Sequence, residues 1–102
     1  MSKINILFTT FNNKDTMIEV LWKVIQDKLA FCASFVTVNS IYEWEGKIEN
    51  AVEYQVTFKT TNSKLSSLVE FVTNIHPYEI PELIILEAQA AGKYIDFSQS
   101  ID

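Results

Sequence analysis

Two runs of alternating apolar and polar residues, joined by one short turn, constrain this chain more than any other feature. From Val52 to Lys59 the alternation holds at every step, and the segment Phe35–Trp44 shows the same period of two. This period is typical of half-buried strands. With Glu45–Lys47 as the turn, the pattern predicts a β-hairpin. Its arms, at about ten residues each, exceed the usual strand length of about 5–6, so we expect them to overhang the core and pair with another subunit.

Further elements flank this hairpin on both sides. Apolar residues without alternation predict strands at Ile4–Thr10 and Glu82–Glu87, both buried and the first one central. Apolar residues at three- and four-residue steps predict helices at Met17–Leu29 and Leu65–Ile75, and a short helix is expected within Gly92–Phe97. The resulting order, βαββαβ plus a tail, predicts an α+β, ferredoxin-like fold with both helices on one sheet face. The uncovered face then needs a partner.

The predicted helix boundaries rest on capping residues. Asn12 or Asn13 is placed to cap the first helix, and Thr61 or Asn62 the second. The second helix should end before Pro77, because a proline ring crowds the preceding residue. These boundaries leave no long unassigned linker in the chain.

The composition narrows the functional classes. The 102 residues, 48% of them hydrophobic, suit a single domain spanning 1–102. The net charge is −5 and all eight basic residues are lysine, which argues against nucleic-acid partners. No apolar run approaches the roughly 20 residues of a membrane span, and no leader sequence is evident. A single cysteine, Cys32, excludes an internal disulfide and suggests the cytoplasm.

Two short segments carry a resemblance to a known family. They read Tyr42-x-Trp44-x-Gly46-x-Ile48-Glu49 and, about thirty residues later, His76-Pro77-Tyr78-Glu79-Ile80-Pro81-Glu82. Both look like signature segments of the CutA divalent-cation-tolerance family, and the similarity runs over nearly the whole chain. The resemblance implies a homotrimer of ferredoxin-like subunits associated with tolerance to copper and other divalent metals. The residues expected to serve the trimer interface or the structure are Tyr42, Trp44, Gly46, Glu49, Pro77, Tyr78, Pro81 and Glu82.

The candidate metal ligands are His76, Cys32 and Glu79. Imidazole is the commonest metal ligand, and the alternative for His76 is a structural cap at the end of the second helix. Cys32 lies between apolar neighbours, so its alternative is a small buried hydrophobic residue. A copper-binding bacterial relative resembles this chain at His76 but has a cysteine at the position of Phe8 and a histidine at that of Ile75. Those two ligands are absent here.

The hairpin carries two further groups of candidate residues. Tyr42 and Trp44 could stack on an aromatic ligand or pack against a neighbouring subunit. The hairpin glutamates are expected to form a solvated face, with weak cation attraction if trimer symmetry brings copies together; they are Glu43, Glu45, Glu49 and Glu53.

The sequence contains no motif of a known catalytic mechanism. We therefore expect a non-catalytic protein with no obligatory cofactor. Together with the family resemblance, this predicts a trimer that binds copper or another divalent metal or takes part in metal homeostasis. Two alternatives are a trimer related to PII signalling proteins, which would sense a small molecule at clefts between subunits, and a structural scaffold.

Overall fold

The computed structural model describes every residue from Met1 to Asp102 and contains a four-stranded sheet, three α-helices and a final 3-10 turn. In chain order the elements are β1 (Ser2–Phe11), α1 (Lys14–Gln26), β2 (Cys32–Trp44), β3 (Lys47–Thr60), α2 (Leu65–Ile75), β4 (Ile84–Ala90), α3 (Tyr94–Ser98) and the 3-10 turn Gln99–Ile101. The strands are antiparallel, in the order β2-β3-β1-β4. The predicted ferredoxin-like fold, its long hairpin and its short C-terminal helix are confirmed.

The hairpin overhangs the rest of the sheet. β1 pairs with β3 only between Tyr54 and Thr60, so the stretch from Lys47 to Glu53 is paired with β2 alone. The turn consists of Glu45 and Gly46, since Trp44 pairs with Lys47. Both turn residues take positive φ, 52° and 79°. This backbone is the one that matches the twist of two hairpin strands, and glycine adopts it without strain.

One face of the sheet is covered by α1 and α2. Fully buried side chains of β1 and β3, including Leu7, Phe11 and Phe58, meet Met17 of α1 and Leu68 of α2 in a single core. The helices bury most of the apolar stripes that their spacing predicted, although Ile25 of α1 is 40% exposed. The chain itself therefore buries the part of this face that lies under the helices, while Ile41, Ile48 and Val52 of the overhanging hairpin stay exposed on the same side.

The other face, which we call the open face, is covered only at one end. There the C-terminal segment packs Ile95 and Ile101 against Ile4 and Ala90. Along the rest of this face the side chains of Val36, Ile84 and Leu86 are 49–58% exposed. The uncovered apolar face that the element order predicted is therefore present.

Two helix boundaries differ from the prediction. α1 is capped by Asn13, whose side chain accepts a hydrogen bond from the Thr16 N–H, but it ends at Gln26 rather than Leu29 because Lys28 turns to φ 56°. The cap predicted for α2 is wrong. Its N-cap is Lys64, without a side-chain bond.

The two residues expected to cap α2 have long-range partners instead. Thr61 Oγ1 donates to Asp102 Oδ1 at 2.7 Å, and Asn62 Oδ1 accepts from the Asn5 side chain. Both polar groups thereby tie the start of α2 to distant parts of the chain. Such partners cannot be read from the local pattern.

The last strand also differs from its prediction. It spans Ile84–Ala90 rather than Glu82–Glu87, and the prediction that it is buried is wrong. Ile84, Ile85 and Leu86 are 45–51% exposed. Ile84 and Leu86 lie on the open face, which no helix covers at this point, and β4 has a neighbouring strand on one side only. Its apolar side chains are typical of a buried strand, but in the single chain they remain exposed to solvent.

Candidate functional site

The two signature segments meet at one cleft on the open face. The segment His76–Glu82, which we call the α2–β4 loop, crosses the end of β1 and faces the overhanging hairpin. Between them lies a cavity of about 440 Å³. Its lining residues are Thr10, Asn12, Tyr42, Trp44, Ala51, Glu53, Tyr78, Glu79, Ile80 and Glu82.

His76 anchors the start of the α2–β4 loop. Its backbone N–H closes α2 on the Val72 carbonyl, and its ring stacks on Phe11 with centroids 4.4 Å apart. Nε2 donates to the Thr10 carbonyl at 2.8 Å, while Nδ1 accepts from the Tyr78 N–H at 3.1 Å. This pattern requires the neutral ring with its proton on Nε2.

The environment of His76 also favours the neutral form. Burial lowers the pKa of the imidazole, and the bond to the Thr10 carbonyl offsets only part of that effect. Since both ring nitrogens already have backbone partners, a metal ion could bind here only by displacing one of them. The geometry fits the structural alternative better than the ligand hypothesis.

Glu53 and Tyr78 join the hairpin to the α2–β4 loop. Tyr78 Oη donates to Glu53 Oε2 at 2.9 Å. Burial, this bond and the charge of Glu53 raise the pKa of the phenol well above its usual value, so Tyr78 remains protonated and donates. Glu53 is only 7% exposed, and the expectation that it lies on a solvated hairpin face is wrong.

The sequence analysis named Glu53 but did not predict its burial, for a physical reason. The period of two places it on one face of the hairpin with Ala51, but the loop that covers it begins more than twenty residues later in the chain. The one available signal was that Ala51 and Glu53 share a face with Tyr42 across the hairpin. An aromatic residue and an acidic residue on the same face of an overhanging hairpin indicate a surface that another segment of the chain can cover.

Glu82 contributes a second carboxylate to the cleft. Burial raises its pKa, and the nearby negative charge of Glu53 raises it further. Its Oε2 atom is buried and has no hydrogen-bond donor. A buried acceptor without a donor costs free energy, so the cleft contains an oxygen that favours an incoming cation or N–H group.

The remaining hairpin residues of the signature differ in their surroundings. Tyr42 and Trp44 line the cleft and are 43% and 39% exposed. Gly46 forms the turn, and Glu49, half-buried, lies opposite Tyr42 in the register. Their assignment to a subunit interface stays a prediction, as does that of Pro77 and Pro81 in the loop.

The three predicted metal ligands do not form one site within a chain. Cys32 lies opposite Lys59, whereas Thr10, which bonds His76, lies opposite Gln55. Four residues of β3 separate the two positions, about 13 Å at 3.3 Å per residue, while metal ligands lie within about 2–2.6 Å of an ion.

No three His, Cys, Asp or Glu side chains converge on a metal-binding geometry in the chain. Among the three candidates, only Glu79 lines the cleft. The metal site built on His76 and Cys32 stays a prediction that one chain does not assemble.

Comparison with known proteins addresses the resemblance directly. The family profile described as CutA1 divalent ion tolerance protein matches residues 5–100. The chain belongs to the CutA family. Mouse protein CutA is 37% identical over 87 residues, which cover 84% of this chain and 49% of the mouse protein. The divalent-cation tolerance protein CutA of Escherichia coli is 38% identical over 82 residues, or 79% of this chain and 73% of that protein. The chain spans about half the length of its mouse, human and Xenopus relatives.

Solved CutA structures share the whole fold. The protein from Synechococcus elongatus superposes with a TM-score of 0.94 at 29% identity, covering 99% of this chain and 91% of its own. The rice protein, CutA1 from Oryza sativa, gives 0.90 at 31% identity, with 97% and 93% covered.

A CutA from Archaeoglobus fulgidus with the same fold, 23% identical, is described as periplasmic. The cytoplasmic location therefore stays a prediction. None of the helices in the structure has the length and apolar character needed to cross a membrane.

Proposed function

We propose that this CutA chain acts as a non-catalytic homotrimer in tolerance to divalent cations, and that it takes up the cation at the cleft between the hairpin and the α2–β4 loop. The observation that carries the proposal is the buried, donor-free Oε2 of Glu82 beside Glu53. Carboxylate oxygens are the ligands that hard divalent cations prefer. A cation there would offset the cost of ionising Glu82, which burial and the nearby negative charge of Glu53 both raise.

The homotrimer has separate support. The open face leaves Val36, Ile84 and Leu86 about half exposed, and the edge of β4 has no strand beside it. Apolar surface and an unpaired strand edge favour association with further copies. Closed cyclic symmetry would bury the same surface on every subunit.

A sensing role related to that of PII proteins is the second candidate. It is favoured by the size of the cavity, which at about 440 Å³ lies within the usual range of small-molecule sites, roughly 300–1,000 Å³. A bare metal ion occupies a small part of that volume. The structural scaffold has no comparable observation in its favour.

Calorimetric titration with Zn²⁺ and Cu²⁺ tests the metal proposal. We expect saturable binding to the wild-type protein, weakened about tenfold or more in Glu82→Gln and in Glu53→Gln, because each removes a charged ligand worth roughly 1.4 kcal/mol or more. Cys32→Ser should leave the affinity unchanged.

Glu43→Gln is the matched control, since Glu43 is an exposed glutamate of the same hairpin that does not line the cleft. Absence of saturable binding to the wild-type protein contradicts direct metal uptake. Equal loss in Glu43→Gln and Glu82→Gln contradicts this site, because it would show an effect of net charge alone.

A further inference from the structure

The cleft combines two kinds of side chain that one metal ion would not use together. Tyr42, Trp44 and Tyr78 line it with aromatic rings, and Glu53, Glu79 and Glu82 line it with carboxylates. Aromatic rings attract cations through their negative faces, most strongly when the cation is organic and weakly hydrated. They give a divalent metal no ligand of the kind it prefers.

The sign of charge in the cleft is uniform. Its ten lining residues contain no lysine, and the chain has no arginine at all. Phosphate and carboxylate ligands need positive partners, so nucleotides and organic acids are unsuited to this surface. A neutral ligand would leave the acidic groups without compensation.

The donor-free oxygen of Glu82 adds a requirement for hydrogen bonding. Oε2 is buried without a partner, while Glu53 Oε2 is already held by Tyr78. A primary ammonium group carries three N–H donors and could satisfy the Glu82 oxygen in a way that a quaternary ammonium group could not. Half of the lining residues are hydrophobic, which suits an apolar body attached to that group.

We propose that the cleft binds an organic cation, with a primary ammonium group between Glu53 and Glu82 and an apolar body against Tyr42 and Trp44. The inference uses the same cleft as the proposed metal uptake and goes beyond it, because it does not depend on any metal being bound. It gives a role to the aromatic lining residues, which a metal site leaves without one.

Three probes with the same aromatic body and different charge test the proposal by calorimetry at pH 7. They are 2-phenylethylamine, 2-phenylethanol and 3-phenylpropanoate. We expect the amine to bind saturably and roughly tenfold or more tighter than the alcohol, since a charged hydrogen bond contributes about 1.5–3 kcal/mol. The anion should not bind measurably.

Two pairs of variants locate the site. Glu82→Gln and Trp44→Leu should each weaken the amine by roughly tenfold, the first through a lost charged hydrogen bond and the second through lost aromatic packing. Glu43→Gln and Trp22→Leu are the controls, because Glu43 and the 65% exposed Trp22 lie outside the cleft. Both controls should keep the wild-type affinity within about twofold, a change of less than 0.5 kcal/mol.

The outcomes separate this inference from the metal proposal. Amine binding lost in the cleft variants supports the inference even if Zn²⁺ and Cu²⁺ do not bind. Alcohol binding as tight as amine binding overturns it, and so does equal affinity in cleft and control variants. Metal binding at Glu82 with no response to the amine overturns the inference and leaves the metal proposal standing.

Discussion

The two faces of the sheet differ in how the chain's own helices cover them. On the helix-covered face Leu7, Val56 and Phe58 are fully buried by α1 and α2. On the open face Ile84 and Leu86 remain about half exposed. The part of the first face that the helices cover is therefore stabilised within the chain, whereas the apolar side chains of the open face would be buried only by association. The cleft belongs to the second face, beside the surface that association would cover.

Each face also contains one buried oxygen without a hydrogen-bond partner. On the covered face it is Thr9 Oγ1, and in the cleft it is Glu82 Oε2. The first lies among core side chains, where no ligand can reach it, so it is a cost to stability alone. The second lies on an accessible cavity, so its cost can be relieved by binding.

The largest expected effect comes from removing a side chain of the covered face. Phe58→Ala should lower the free energy of unfolding by about 3–5 kcal/mol, because it leaves a cavity in the core. The loss should be independent of protein concentration. Urea denaturation at two protein concentrations measures it.

Leu86→Ala on the open face sharpens the contrast. Its cost should rise with protein concentration, because the surface that it truncates is buried only on association. A loss as large as that of Phe58→Ala and independent of concentration would mean that the two faces do not differ in this way.

His76→Ala should have the next largest effect, about 2–3 kcal/mol of unfolding free energy. It removes the stacking on Phe11 and leaves the buried Thr10 carbonyl without its donor. Since the folded-state pKa of His76 lies below its unfolded value of 6.5, the unfolded chain protonates first as the pH falls. The stabilisation is therefore complete above pH 6.5 and is lost as the pH falls through the folded-state pKa.

The pH dependence of His76 is checked by chemical denaturation of the wild-type protein and His76→Gln between pH 7.5 and 5. The difference between their unfolding free energies should shrink as the pH falls. A constant difference would show that the ring is not held neutral by its burial.

Thr9→Val should raise the free energy of unfolding by about 1 kcal/mol, because it replaces the unpartnered hydroxyl with a methyl group of similar size. Thr57→Val, at a half-buried position on the open face, is the control and should change stability less. Thermal unfolding of both variants decides the comparison. A lower melting temperature for Thr9→Val would indicate that the hydroxyl has a partner in solution.

Glu82→Gln should have the smallest effect on stability and a distinctive pH dependence. The folded-state pKa of Glu82 is raised, so the unfolded chain ionises first as the pH rises above about 4.5, and wild-type stability falls until the folded-state pKa is passed. Glutamine removes this loss, so the variant should be the more stable protein at pH 7 but not at pH 4. Greater stability of the wild type at pH 7 would show that the ionised carboxylate already has a partner.

The sequence could predict the features that local chemistry determines. Alternation predicted the hairpin, and Asn13 was among the expected caps because an amide oxygen can accept from the first turn. The path of the α2–β4 loop could not be predicted in the same way. Its position follows from the bonds of His76 and Tyr78 to Thr10 and Glu53, which join residues far apart in the chain.

The same limit explains the errors at α2 and β4. Thr61 has the side chain of a good cap, but Asp102 bonds it instead. The run Ile84–Leu86 has the composition of a buried strand, yet it is half exposed because it lies at the sheet edge beside an uncovered face. In both cases the residue type supported the prediction, but the outcome depended on which distant parts of the chain pack against the segment.

The mass of the protein in solution tests the difference between the two faces most directly. Light scattering coupled to size-exclusion chromatography should give three times the 11.7 kDa mass of one chain, and Leu86→Asp should shift the folded protein to a lower mass because it places a charge on the open face. A wild-type mass of one chain, unchanged as the protein concentration is raised, would contradict the account.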